Sequence, residues 1–276
     1  MSLDLPPLLG NMPVGFMAAV GLLRVVSAEA RLSWDPITQC ARLDGIDRDA
    51  LLDHLVEWMK GRADSPELQL ADDVRGTTPE RYREIVSGAS DATLAWVRAL
   101  WREDGNEIAP TRLCLTGGPQ RMIKMARELA GKLDPDKVRG GVKHVREKFV
   151  EALFGPWVYA DEVASWGWDP ATYRPGARTA TEPSKTKLSG VAAAYWLAWE
   201  SLPCFPNMPG RGTLGFEYRP KARAWTWTTW SVPLDIHAVG ALLRRPEEGT
   251  ALGGQQYRAG IVFAGQIQFF EPGRAF

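Results

Sequence analysis

W-G-W-D-P-A-T-Y-R at 166–174 and S-G-V-A-A-A-Y-W-L-A-W-E-S-L-P-C-F-P-N-M-P-G-R-G at 189–212 bound the stretch on which the reading of the fold turns. A polar segment carrying Arg174, Arg178, Lys185 and Lys187 joins them. Apolar residues at Leu188, Val191, Ala192, Tyr195, Trp196, Trp199 and Leu202 keep helical spacing over 184–202, and Pro203 ends the run. The residue before a proline resists helical dihedrals, so the stop is well placed. The wide apolar face predicts a helix buried on most sides. Its most unusual charge, Glu200, must be paired if it is buried, by an arginine of the loop that follows. The plain reading is a core helix between ordered loops. The sharper reading makes the aromatic flanks, Trp157, Trp166, Trp168, Tyr173 and Phe205, anchors for a partner protein.

Nearer the N-terminus, an apolar segment at 13–30 begins at Pro13, a residue suited to a first helical turn, and carries Gly15 and Gly21. It reads as a central buried helix whose glycines permit close approach of another element. A strand or turn follows at 32–43. Asp47, Thr78 and Ser90 each precede an amphipathic run and read as helix caps, with Leu94, Val97, Leu100 and Trp101 directed inward on the last. Polar linkers occupy 61–78 and 102–110, and the Asp72-Asp73 pair in the first reads as solvated.

A short strand is predicted at 111–116, then a Gly117-Gly118-Pro119 turn into a helix that runs through Ala130. A second helix begins at Asp134-Pro135, with Gly140-Gly141 able to break it. From 213 onward the pattern is β, with strands at 213–219, 222–232, 255–263 and 265–271. Trp225 and Trp227 share one strand face, either packed beneath a helix or open to stack bases. The fold class is therefore α+β, with a mainly helical N-terminal half and an antiparallel β-rich C-terminal part. Regions 1–110 and 111–276 form two units or one continuous domain.

The chain has 276 residues, 12 tryptophans and a net charge of zero. Charge is unevenly spread. Residues 1–110 hold 11 Lys/Arg and 18 Asp/Glu, a net of −7, whereas 111–150 hold 10 and 4, a net of +6. Residues 171–224 hold 8 and 3, a net of +5. Two basic blocks on a neutral body suit a polyanion, or else they pack against the acidic front half. On the first reading Arg112, Arg121, Lys124, Arg127, Lys143, Arg146, Lys185, Lys187 and Arg211 contact nucleic-acid backbone. The helix start after the glycine turn would add amides suited to a phosphate, although the spacing is not that of a Walker loop.

No catalytic signature is present. His54, His144 and His237 lack metal-ligand spacing, and Asp235 with His237 and Glu200 would need to meet in space to form a site. Cys40, Cys114 and Cys204 form no C-x-x-C pair. The expectation is a non-enzyme without metal or cofactor. No secretory signal is visible and the apolar run ending at Leu23 is too short to span a bilayer, so the chain reads as cytoplasmic with no membrane partner.

The segment N-M-P-V-G-F-M-A-A-V-G-L-L-R at 11–24 resembles the opening of CRISPR-associated proteins of type I-U (type I-G) systems. The W-D-P-A-T-Y-R segment and the small-residue helix ending in E-S-L-P-C-F-P are similar to the same group, and L-T-G-G-P-Q at 115–120 is similar to one of its turns. The resemblance covers about 50 of the chain's 276 residues. It implies a large-subunit-like or accessory protein of an RNA-guided antiviral complex of the Cascade type. Its partners would be CRISPR RNA or target DNA, other subunits of the complex, and the helicase–nuclease. In such recognition base pairing reads the sequence while protein holds backbones. The alternatives are an interaction subunit that touches no nucleic acid, and a small metal-dependent nuclease.

Overall fold

A computed structural model describes residues 1–117, 120–163, 165–172, 189–208, 212–219, 222–264 and 267–276. The chain opens with strand β1 (Ser2–Leu9), which the sequence pattern did not announce because Pro6 and Pro7 lie within it. They are tolerated because β1 is the edge of a three-stranded antiparallel sheet, and its register shifts between Leu5 and Leu9 where they sit. Helix α1 (Pro13–Val25) follows, then β2 (Arg31–Trp34) and the central strand β3 (Cys40–Asp44). The N-terminal half is thus not wholly helical.

Helices α2 (Arg48–Trp58), α3 (Pro79–Gly88) and α4 (Asp91–Leu100) start where their caps predict. Asp47 accepts from the amides of Asp49 and Ala50, Thr78 from Arg81 and Ser90 from Thr93. A hairpin of β4 (Trp101–Asp104) and β5 (Glu107–Pro110) turns over Gly105. Residues 111–116, expected as a strand, form a turn and irregular chain instead.

Helices α5 (Met122–Lys132) and α6 (Gly141–Leu153) come next. The helix expected from Asp134 begins only at Gly141: residues 134–140 form turns, and Gly140, whose φ of 96° is a left-handed conformation open to glycine, stands before its first turn. A short β6 (Asp161–Glu162) pairs with β7 (Ser189–Gly190) and leads into α7 (Ala192–Glu200). The core helix therefore starts at Ala192 rather than at 184, and the earlier part of its predicted span through Leu188 lies outside the described residues.

After β8 (Asn207–Met208) and β9 (Gly212–Thr213), the predicted C-terminal strands are present as β10 (Phe216–Arg219), β11 (Ala222–Thr228), β12 (Gln256–Ala264) and β13 (Ile267–Phe270). Helix α8 (Ile236–Leu243) intervenes between β11 and β12, and β14 (Arg274–Ala275) pairs with β12. The sheet order is β10-β11-β12-β13, antiparallel throughout. The protein is a mixed α+β fold.

Every residue of α1 except Arg24 is buried. Phe16 lies among Trp34, Trp227, Trp225 and Trp230, with ring centroids 5.6, 5.7, 6.0 and 6.3 Å away. Trp227 donates through Nε1 to the Gly10 carbonyl at 2.8 Å, and Trp230 to that of Leu32 at 2.6 Å. The front and back of the chain therefore share one core. Helix α7 crosses α1 so closely that a Cβ on Gly21 would stand 1.8 Å from the Leu197 carbonyl oxygen.

One turn further along both helices, fully buried Glu200 meets the front of the chain. Its carboxylate takes Arg24 Nη1 at 2.6 Å, Arg62 Nε at 3.0 Å and Trp58 Nε1 at 3.1 Å. Arg62 also pairs with Glu67 and lies over the Trp58 ring at 5.0 Å, while Arg24 lies over Trp96 at 5.1 Å. The pairing expected for Glu200 is present, but from the N-terminal region rather than the following loop.

Two outcomes are expected from this packing. Gly21→Ala lowers stability by more than about 2 kcal/mol, because backbone must move to admit the methyl group. Glu200→Ala costs about 3–5 kcal/mol, since it takes from Arg24 its carboxylate and leaves nearly buried Arg62 with Glu67 alone. Chemical denaturation of the two variants measures both, and a loss below about 1 kcal/mol in either contradicts the packing described.

Candidate functional site

The expected polyanion-contacting cations fall into three groups. In the first, Arg121 and Arg127 both pair with Asp72 at 3.1 Å, and Arg127 also donates to the carbonyls of Leu68 and Ala71. Arg146, on α6, is taken by Asp49 and Asp53 on α2. Among the described residues, Lys124 has Glu128 at 3.9 Å as its one ion-pair partner and remains half exposed. Lys143 is exposed, with no ion-pair partner among the described residues. Arg112 lines a small hollow at one end of the C-terminal sheet. Lys185, Lys187 and Arg211 lie outside the described residues.

The Asp72-Asp73 pair is more than a solvated linker feature: Asp72, itself exposed, and half-buried Asp73 form a clasp on α5. Asp72 binds two arginines of that helix region, and Asp73 accepts from the Met122 amide at 3.3 Å. A helix N-terminus draws an anion, and here the chain supplies its own carboxylate. Hydrogen bonding from Arg127, helped by the charge of Arg121, holds the Asp72 carboxyl below its ordinary 3.8.

The aromatic anchors are corrected in the same way. Trp166, Trp168 and Phe205 are 1%, 0% and 2% exposed and belong to the chain's own core. Trp166 stacks on Trp168 at 4.9 Å, and Trp168 donates to the Leu113 carbonyl at 2.8 Å. Trp225 and Trp227 are equally buried and have no face left for a base. Trp157 is half-buried beside Pro6, Pro7 and Phe154, its Nε1 held by the Ala152 carbonyl at 3.1 Å. Tyr173 lies outside the described residues.

The residues weighed for catalysis do not come together. Asp235 caps α8 by accepting from the Ala238 amide at 2.8 Å, which keeps its carboxyl low, whereas His237 is exposed and Glu200 is sealed. Burial pushes the Cys204 thiol up to about 11, far from a reactive thiolate. Among the described residues, no group of three or more His, Cys, Asp or Glu is placed to hold a metal ion, and no helix is long and apolar enough to cross a membrane.

A further hollow is a trough that none of these expectations named. Tyr82 and Val86 of α3, Leu94 and Val97 of α4 and Ile108 of β5 line about 730 Å³ of it. Leu94, read as an inward residue, is only half-buried because it faces this space. A second hollow of about 480 Å³ shares Tyr82, Arg98 and Glu103, and extends the trough to Pro203, Pro206 and Met208.

Its walls are fixed by side-chain bonds. The Asn207 amide donates to the carbonyls of Arg98, Ala99 and Trp101 at 2.9–3.0 Å, satisfying carbonyls that the end of α4 leaves open. Trp101 Nε1 reaches Thr77 Oγ1 at 2.9 Å. The signal available in sequence was the pair of short amphipathic helices, each with apolar residues on more faces than one contact needs.

The clasp has a pH signature. A carboxyl lowered on folding adds stability that is fully present above its unfolded value and is lost as pH falls through the folded one. Asp72→Asn is expected to lower Tm at pH 7 by a few degrees, and the gap from the wild type should close below the ordinary value of 3.8. Thermal melts from pH 7 to 3 check this; a gap that stays constant with pH removes the electrostatic account. No protein-family model matches the chain, and comparison with curated proteins finds no match.

Proposed function

We propose that the chain is a non-catalytic subunit that holds a segment of a partner protein in the trough between α3, α4 and the β4–β5 hairpin. One observation carries the reading: this apolar, pre-formed trough stands open while Arg121, Arg127 and Arg146 are paired within the chain. Among the described residues, the charges lining the trough and its extension are Arg83, Arg98, Arg102 and Arg244 against Glu103. The trough therefore suits a partner segment with apolar anchors and a mildly acidic edge, read as helix-in-groove recognition. Pro203, Pro206 and Met208 bring the loop after α7 into the same surface. The resemblance to type I-G CRISPR-associated proteins makes other subunits of an RNA-guided antiviral complex, or its helicase–nuclease, the natural partners.

A second reading, contact with guide RNA or target DNA backbone, draws on exposed Lys124 and Lys143. The two differ in salt response, since backbone contacts weaken steeply with salt and apolar anchoring does not.

Val86→Glu and Leu94→Asp place charges in the trough at positions already partly exposed. Each is expected to weaken association with co-expressed subunits of the host's complex roughly thirty-fold or more, as for an interface hot spot, with far-UV circular dichroism unchanged. Lys143→Glu should leave association intact in high salt after nuclease treatment. Association that survives both trough variants, or that disappears with nuclease, overturns the reading.

A further inference from the structure

The trough and its extension share Tyr82, Arg98 and Glu103, so these three polar residues mark the place where the two hollows meet. The first hollow adds Val86, Leu94 and Ile108, and the second adds Pro203, Pro206 and Met208. Apolar surface thus lies on either side of a polar waist. Taking the trough as the docking site proposed above, we infer that Arg98 and Tyr82 at this waist receive a carboxylate of the partner segment, an aspartate or glutamate flanked by apolar anchors.

Arg98 is the cation left available there. It is exposed, and among the described residues its guanidinium has no hydrogen-bond or ion-pair partner. The other arginines of the lining are engaged: Arg83 with Glu80 at 2.9 Å, Arg102 with Asp104 at 2.6 Å, and Arg244 with the Gly240 carbonyl at 2.6 Å. An arginine in the last turn of a helix commonly serves the open carbonyls at that end. Here the Asn207 amide already donates to the carbonyls of Arg98, Ala99 and Trp101. The backbone of Arg98 is therefore pinned while its side chain is left to the groove. Glu103 is the one carboxylate among the described lining residues, and no ion pair joins it to Arg98.

Tyr82 supplies a second donor. It is half-buried on α3, and its hydroxyl has no hydrogen bond among the described residues. Burial pushes its phenol up and the charge of Glu103 adds to this, with Arg98 acting the other way, so the hydroxyl keeps its proton. A guanidinium fork and a phenol together match the two oxygens of a carboxylate. A neutral partner group at the waist would leave Arg98 desolvated without a counter-charge, and a basic one would add repulsion.

Short random peptides displayed and selected on the full chain test this, with counter-selection on Leu94→Asp to discard peptides that bind outside the trough. The enriched sequences are expected to carry Asp or Glu between apolar residues. For the tightest of them, followed by fluorescence anisotropy, Arg98→Gln should weaken binding roughly ten-fold or more. Replacing the peptide's carboxylate by its amide should do the same, and both changes together should cost no more than either alone, the mark of one shared contact. Arg98→Glu should turn the preference of the selection to Lys or Arg, while Lys143→Gln leaves affinity unchanged. Should Arg98→Gln fail to fold, the peptide's own amide form carries the same test.

Trough-dependent peptides without an acidic preference, or with affinity unmoved by Arg98→Gln, overturn the carboxylate assignment and leave the docking site standing. Absence of any trough-dependent peptide removes the docking site and this assignment with it. Dimers of the chain that sediment as such and are lost in Leu94→Asp make a second copy the occupant, and also overturn it.

Discussion

Helices α1 and α7 touch at Gly21, where the Leu197 carbonyl occupies the space that a side chain would need. The rest of the fold depends on that approach. Residues three apart share a helix face, so the contact of Gly21 with Leu197 places Arg24 beside Glu200 one turn later. The carboxylate arrives in an apolar interior, where an unpaired charge costs several kcal/mol. Arg24, Arg62 and Trp58 meet it there. Through these three residues the central helix of the back half is tied to α1, to α2 and to the segment that follows α2. The same α1 carries Phe16 into the tryptophans of both sheets, which is why a single core spans the chain.

Charge segregation along the sequence becomes pairing in space. The acidic front half does not stand apart from the basic middle; Asp49, Asp53 and Asp72 are set against Arg146, Arg127 and Arg121. These bridges are mostly exposed and individually weak. Their consequence is for function: they remove cations from the surface that a polyanion would otherwise meet. What remains on the described surface is an apolar trough, with Lys124 and Lys143 exposed elsewhere. Asn207 fixes the end of α4 beside the trough, and the Thr213 hydroxyl that it accepts from also receives the Arg112 amide.

The aromatic residues illustrate how composition misleads about exposure. A tryptophan-rich loop such as W-G-W-D-P suggests an interface, because tryptophan is enriched where proteins meet. Here Trp166 and Trp168 stack on each other and on the core side of α7, and their indole nitrogens are directed to backbone carbonyls. A large ring buried with its one donor satisfied is a core element, however unusual its sequence setting.

What is local and periodic was legible in the order of the amino acids alone. The caps at Asp47, Thr78 and Ser90, the buried α1 and the strand alternation around Trp225 and Trp227 all follow from hydrogen bonds within a few residues or from a repeat of 2 or 3.6. Strand β1 was hidden by its prolines, residues 111–116 are apolar without being strand, and α8 was missed although Asp235 is an ordinary cap. Folding in three dimensions settled which acid faces which base, which tryptophan is covered, and where an apolar face is left without a neighbour. Glu200 finds Arg24 across 176 residues and Arg127 finds Asp72 across 55, and no local pattern encodes a partner that the chain reaches only after it has folded.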